Sequence, residues 1–262
     1  MAQKNKVLVF LTGASSGIGA ALAREYAAQG AALVLLARRT EALHALLEEL
    51  PGGAARHTVF GVDVCDCDAL QAACMECLQT RGCPDVVIAN AGISAGTLTE
   101  FSEDLAVFEK ILHTNLLAMA ATFHPFIAAM KQRGSGTLVG LASVAGIRGL
   151  PGSEAYSASK AAAMTYLESL RVELRTTGIK VVTLAPGFVR TPMTAKNPYR
   201  MPFLMDADIF ARKAVRAIAR QVSYIVIPWQ MGWVAKLLRI LPNWLYDRAL
   251  VNAKQKPRIT PP

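Results

Sequence analysis

Between residues 6 and 227, short runs of uniformly apolar residues alternate with longer segments in which apolar positions recur every three to four. The apolar runs lie at residues 6–11, 32–37, 58–62, 85–89, 136–141, 180–184 and 223–227. A strand with one wet face alternates apolar and polar positions. These seven do not, so both of their faces must be covered, which is the pattern of a parallel sheet between layers of helix. The predicted architecture is a seven-stranded, doubly wound α/β parallel sheet with helices on both faces. Right-handed crossovers bring the carboxyl ends of all the strands to one edge, and ligands bind in the crevice outside that edge. Chemistry is therefore expected just after strands.

The first such turn reads Thr12-Gly13-Ala14-Ser15-Ser16-Gly17-Ile18-Gly19 and leads into the helix-patterned AALAREYAAQG. Glycines at 13, 17 and 19 let the backbone turn tightly and approach a pyrophosphate, whose charge is favoured by the free N–H groups and the dipole at a helix start. Lodged between a first strand and a first helix, the pattern marks a Rossmann-type dinucleotide site, with Ser15, Ser16 and Ile18 beside the glycines. An NAD-preferring site needs a carboxylate near the end of the second strand, but here that strand ends Ala37-Arg38-Arg39. A guanidinium offers a planar fork of donors suited to a 2′-phosphate, so NADP(H) is the expected cofactor, with Arg38 the leading contact and Arg39 beside it. Asp63, followed by Val64 after the third strand, either accepts from an adenine amine or caps the next helix.

Tyr156 and Lys160 stand four apart in SEAYSASKAAAMTYLESLRVEL, a segment of helical composition, so their side chains share a face. A tyrosine in water has a pKa of about 10, but an adjacent ammonium and a nicotinamide's positive charge favour the phenolate. Tyr156 is thereby expected to protonate a carbonyl oxygen as hydride reaches carbon, and to act as base in reverse. Lys160 would also hold the nicotinamide ribose. Ser143 ends the strand-like GTLVGLAS, where its hydroxyl is expected to donate to the same oxygen. No Gly-x-Ser-x-Gly elbow surrounds it, which argues against a serine hydrolase. Asn115 falls inside a helical pattern, where its amide is a mediocre helix former; holding a water that relays protons to Lys160 would account for it.

These motifs resemble the short-chain dehydrogenase/reductase superfamily. The resemblance rests on TGASSGIG at 12–19, Asn90-Ala91-Gly92, Asn115, Ser143, Tyr-x-x-x-Lys at 156–160 and Pro186-Gly187-x-Val189-x-Thr191, in order over residues 5–228. It implies that Asn90, Ala91 and Gly92 stabilise the sheet beside the adenine ribose, that Asn115 completes a catalytic tetrad, and that Pro186, Gly187, Val189 and Thr191 meet the nicotinamide. A homodimer or homotetramer is also implied. Ala89 departs from the pattern, since many members carry a second Asn there. The expected activity is interconversion of a ketone or aldehyde and a secondary alcohol, with a small-molecule carbonyl or alcohol as substrate. The alternative is a non-catalytic cofactor-binding or membrane-associated scaffold. An epimerase or dehydratase for nucleotide sugars is disfavoured, because 262 residues leave little room for its further domain.

Two segments bear on the substrate. TPMTAKNPYRMPFLMD, from 191 to 206, lacks a period, and the resemblance implies that it lids the substrate. Its Met193, Met201, Phe203, Leu204 and Met205 either give that lid an apolar lining or anchor it to the core. Residues 229–262 hold all three tryptophans and, with six basic residues against one acidic, +5 of the net +9 charge. Their apolar positions follow helical spacing up to Pro242, which should bend or break the helix. Two readings stay open for 229–250: a helix lying at a membrane surface, or one covering the chain's own substrate cleft or a partner subunit. Residues 1–228 are read as one dinucleotide-binding catalytic domain and 229–262 as an amphipathic aromatic and basic extension.

Composition narrows the rest. With 53% hydrophobic and 18% charged residues the chain is apolar, yet no stretch approaches the roughly 18 uninterrupted apolar residues of a membrane span. MAQKNK leads directly into strand and glycine loop without a cleavage-site pattern, so a cytoplasmic protein is expected, with peripheral membrane contact an open option. Five cysteines crowd into positions 65–83; the odd number argues against a disulfide framework, and small buried thiols are favoured over a metal site. The positive charge comes without any nucleic-acid motif, so anionic small molecules or lipid headgroups are its expected partners.

Overall fold

Successive residues of the first strand, β1 (Leu8–Thr12), face opposite ways. Val9 and Leu11 join one buried cluster and Phe10 the other, which is why the run is apolar throughout. The computed structural model describes residues 7–258. Lys6, where the sequence begins its first strand, and the last four residues of the extension lie outside the described residues.

The strands are β1, β2 (Ala32–Ala37), β3 (Thr58–Gly61), β4 (Val86–Ala89), β5 (Gly136–Leu141), β6 (Ile179–Pro186), a short pair β7 (Val189–Arg190) and β8 (Met205–Asp206), and β9 (Tyr224–Ile227). Seven of them form one sheet in the order β3-β2-β1-β4-β5-β6-β9, every neighbouring pair parallel. The predicted Rossmann-type sheet is present, with ends shifted by one or two residues. The β7–β8 pair inside the lid segment was not anticipated, being too short to leave a pattern.

One helical layer is built from α1 (Gly17–Ala28), α2 (Thr40–Glu49) and α8 (Ala207–Ala219), which set Leu22, Leu43 and Phe210 against Val9, Leu11, Leu33 and Leu35. After a single turn, α3 (Gly53–Arg56), the opposite layer holds α4 (Cys67–Thr80), α5 (Asp104–Leu112), α6 (Ala118–Arg133) and α7 (Glu154–Glu173). Its core sets Leu70, Phe123, Phe126 and Leu167 on Phe10, Val34 and Leu138. Phe10 and Phe126 meet edge to face at 4.8 Å.

A π turn, His113–Leu117, joins α5 to α6, so Asp104–Arg133 is one helical run of 30 residues with a mean hydropathy of 1.2 in its most apolar window. That run is long and apolar enough to cross a bilayer. Met119, Phe123, Phe126 and Met130 are buried in the core, however, so its apolar face is already covered by protein.

The cysteines divide. Cys74 and Cys77 are buried on α4, where burial pushes their thiols up to about 12. Cys65 and Cys83 are half-buried, while Cys67 is exposed, contrary to the expectation of buried thiols throughout: it opens α4 on the solvent side. Among the described residues no three His, Cys, Asp or Glu side chains gather as a metal site. Beyond β9 the chain forms α9 (Trp229–Ile240) and α10 (Asn243–Leu250), which break apart at Leu241-Pro242 as expected. Met231, Ala235 and Tyr246 are their buried contacts.

Candidate active site

Strand order reverses between β1 and β4, and a cleft opens at that switch point. The loop after β1 forms its floor. Gly13 and Gly17 adopt φ of +68° and +55°, and a Cβ on Gly19 would collide with the Gly13 carbonyl and the Asn90 amide. Helix α1 begins here with no side-chain cap on Ser16 and no acidic residue in its first turn. Its uncapped N–H groups and dipole end therefore face a glycine cradle, a donor set that fits a dinucleotide pyrophosphate.

Asn90 locks this floor to the neighbouring strand. Its Nδ2 donates to the carbonyls of Thr12 and Gly13 at 3.0 and 3.1 Å, and the Thr12 hydroxyl accepts from the N–H groups of Asn90 and Ala91, each at 3.2 Å. Thr12 is thus a hinge pin between β1 and β4. Part of the cue lay in TGASSGIG, where Thr12 is read only as the first residue of the turn.

At the far end of the floor the two arginines diverge. Arg39 Nη2 donates to the Ser15 hydroxyl at 3.2 Å, whereas Arg38 lies 3.6 Å from the Asp63 carboxylate. The helix-capping alternative for Asp63 is overturned, because Asp66 caps α4 by accepting from the Ala69 N–H at 3.0 Å. Asp63 accepts instead from the Cys65 N–H, also at 3.0 Å.

The catalytic candidates converge at the opposite end. Ser143 lies two residues past the end of β5 rather than on it, and opens a 3₁₀ turn, Val144–Gly146, where its Oγ accepts from the Ala145 N–H at 3.2 Å. With a lone pair so engaged, its hydrogen is free to point into the cleft. Gly146 lets this turn lie directly on α7, where a Cβ would strike the backbone of Lys160 and Ala161. From that helix Tyr156 and Lys160 enter the cleft together, as their spacing predicted.

Lys160 is buried; its Nζ donates to the Leu141 carbonyl at 2.7 Å and sits 5.8 Å from the centre of the Tyr156 ring. Burial lowers its pKa to about 8. For Tyr156, burial pushes the phenol above its usual range and the nearby Tyr199 adds to this, while a hydrogen bond with Ser143 works the other way.

Asn115 sits in the π turn rather than in a regular α-helix. Its Oδ1 accepts from the Ile93 N–H at 2.8 Å, and its Nδ2 donates to the Ile93 carbonyl at 3.0 Å and to Ser159 Oγ at 2.9 Å. An amide so occupied clips the loop after β4 to α7.

The other predicted residues, Gly92, Val64, Ile18, Ser16, Pro186, Gly187, Val189 and Thr191, all line the cleft. Sequence reasoning missed Ile93, Thr114, Ala142 and Thr194 as lining residues, and also Tyr199, which packs 6.3 Å from Phe188. In the lid segment Met193 borders the cleft, while Met205 is an anchor, paired with Val189 across β7–β8 and packed on the core.

A family model described as short chain dehydrogenase matches residues 7–201. The chain is a short-chain dehydrogenase/reductase. Among relatives of this short-chain dehydrogenase/reductase, an uncharacterized oxidoreductase of Myxococcus xanthus (strain DK1622) is 37% identical over 249 residues, covering 95% of this chain and 98% of that one. An alcohol dehydrogenase from the archaeon Thermococcus sibiricus, complexed with 5-hydroxy-NADP, shares 28% identity and a TM-score of 0.75 over 85% of this chain and 96% of that one. A family member from Burkholderia phymatum in complex with NAD has the same fold, with a TM-score of 0.81 at 24% identity over 100% and 99% of the two chains. The protein is an oxidoreductase of short-chain dehydrogenase/reductase type, from a family whose members bind nicotinamide dinucleotides.

Proposed function

We propose that this protein is an NADP(H)-dependent carbonyl reductase, or the corresponding secondary-alcohol dehydrogenase, acting on an apolar substrate. The observation that carries the reading is the meeting of Ser143, Tyr156 and Lys160 at one end of a cleft whose floor is the glycine cradle of α1. Bound along this cleft, the reduced dinucleotide supplies a hydride to the carbonyl carbon. Ser143 donates a hydrogen bond to the carbonyl oxygen and Tyr156 delivers its hydroxyl proton there, closing the balance from ketone to alcohol. A phenol raised by burial stays protonated at neutral pH, the form a reduction consumes. Lys160, buried one helical turn away, carries the charge that offsets the developing phenolate. Asn115 acts through position, keeping Ile93 and Ser159 in place.

Cofactor choice rests on Arg38 and Arg39, which flank the far end of the cleft with a single carboxylate, Asp63, opposite Arg38. A 2′-phosphate there gains charge-assisted hydrogen bonds that a hydroxyl does not. The adaptable Met193 on the cleft wall favours an apolar substrate.

The test is a panel of ketones, aldehydes and secondary alcohols followed by NADPH absorbance, with NADP(H) and NAD(H) in parallel. Turnover should appear with apolar carbonyls and favour NADPH. Arg38→Ala should raise the KM for NADPH about 10- to 100-fold, the loss of one hydrogen bond to a charged group, with little effect on NADH. A wild-type preference for NADH would refute the role given to Arg38.

A further inference from the structure

Helices α9 and α10 present outward what a folded chain normally hides. Trp229, Trp233 and Trp244 are 65%, 67% and 68% exposed, and Ile240 and Val251 reach 77% and 75%. On α9 the exposed apolar positions are 229, 233, 237 and 240, which at about 100° per residue fall within an arc of about 80°. Met231 and Ala235 occupy the buried side. This is a continuous apolar stripe on an ordered helix whose inner face is already satisfied.

The charges around the stripe are predominantly positive, with exposed Asp247 the one carboxylate of the segment. Lys236, Arg239, Arg248 and Lys254 are exposed, and among the described residues none of them pairs with a carboxylate. Lys236 places its ammonium 5.4 Å from the Trp233 ring centre. The other two basic side chains of the segment are spent internally: Lys256 donates to Ser94 Oγ at 2.9 Å and Arg258 pairs with Asp104 and Glu103. Indole rings, branched aliphatic side chains and uncompensated cations on one surface complement the interface of an anionic bilayer, where rings sit at headgroup depth and lysines and arginines meet phosphate.

The stripe also has a fixed place relative to the cleft. Met231 packs against Gly187 of the loop after β6. The Arg148 guanidinium, from the loop after Ser143, grips the end of α9 and stacks 3.8 Å from the centre of the Tyr246 ring. The tail beyond α10 returns to the loop after β4, where the Gly96 N–H donates to the Pro257 carbonyl at 3.0 Å. All three loops leave the strand ends that border the cleft.

We propose that the outer face of α9 and α10 is a docking surface for an anionic lipid bilayer, seated at the rim of the catalytic cleft. Docking is independent of which carbonyl is reduced.

The three tryptophans of the patch are the only ones in the chain, so intrinsic fluorescence reads the patch alone. The full-length protein is mixed with vesicles of phosphatidylcholine alone or with phosphatidylglycerol, and followed by tryptophan emission and flotation. Expected are a blue shift and co-flotation with the anionic vesicles, both weakened by high salt. The variant Lys236→Glu/Arg239→Glu/Arg248→Glu should lose at least tenfold in affinity while keeping its tryptophans. Trp229→Ala/Trp233→Ala/Trp244→Ala should lose flotation while retaining NADPH binding, which shows that it is folded. Absence of binding to anionic vesicles, or binding unchanged in both variants, would overturn the proposal. So would concentration-dependent self-association that disappears in the tryptophan variant without any vesicle binding, which would assign the face to a second copy.

Discussion

At the scale of single residues, the decisive feature is a lysine enclosed by protein. A buried amine with a pKa near 8 resists protonation, so the native state carries an electrostatic cost that the unfolded chain avoids. The sign follows from the two titrations. Below about 8 both states are protonated and the cost is present in full; between 8 and the ordinary 10.5 the unfolded chain binds more protons, so stability rises with pH. Lys160→Met, which keeps the volume and removes the charge, should therefore be more stable than wild type at pH 7 by up to about 3 kcal/mol in buffer without dinucleotide. That advantage should shrink as pH climbs from 8 towards 10, read by urea denaturation across the range. Parallel stability curves for the two proteins would contradict a depressed Lys160. Catalytic activity should fall in the variant even where stability gains, because the charge that burdens the fold is the one Tyr156 needs.

At the scale of elements, local patterning carries far in some places and not in others. The helix bearing Tyr156 and Lys160 was legible because its period and composition are local, and β1, β2, β4, β5 and β6 because strands buried on both faces leave apolar runs. The π turn at Asn115 was not. Its cause is a distant partner, Ile93, that holds the side chain in place, and nothing in ILHTNLLA records that contact. Nor could sequence show that Arg148 closes α9. Its guanidinium donates to the Leu241 carbonyl at 2.7 Å and to Asn243 Oδ1 at 3.0 Å, and also binds the Leu238 carbonyl, supplying from 90 residues away the partners a helix end lacks. Arg148→Ala should consequently loosen α9 and α10 by about 1–3 kcal/mol, seen as faster amide hydrogen exchange in residues 229–250 with β1, β4 and β5 unaffected. Unchanged exchange there would mean that Met231, Ala235 and Tyr246 hold the helices alone.

At the scale of the molecule, the parallel order β3-β2-β1-β4-β5-β6-β9 draws together residues from 13 to 194 in the chain. This level was readable as a class, since crossover handedness and strand number leave few alternatives, and every cofactor residue expected from the motifs lines the one cleft. The electrostatics were not readable at that level. Whether a phenol titrates up or down depends on how completely the assembled layers exclude water, and around Tyr156 that burial pushes the phenol up. The central claim is that the cleft transfers a proton through that phenol while the cradle of α1 holds the dinucleotide. Its most direct test compares wild type with Tyr156→Phe on an accepted ketone, measuring single-turnover NADPH oxidation alongside the NADPH dissociation constant. NADPH binding within about threefold of wild type, together with loss of at least about 10²-fold in the rate of oxidation, is predicted from the usual worth of a positioned general acid. Oxidation at the wild-type rate in Tyr156→Phe would contradict the account.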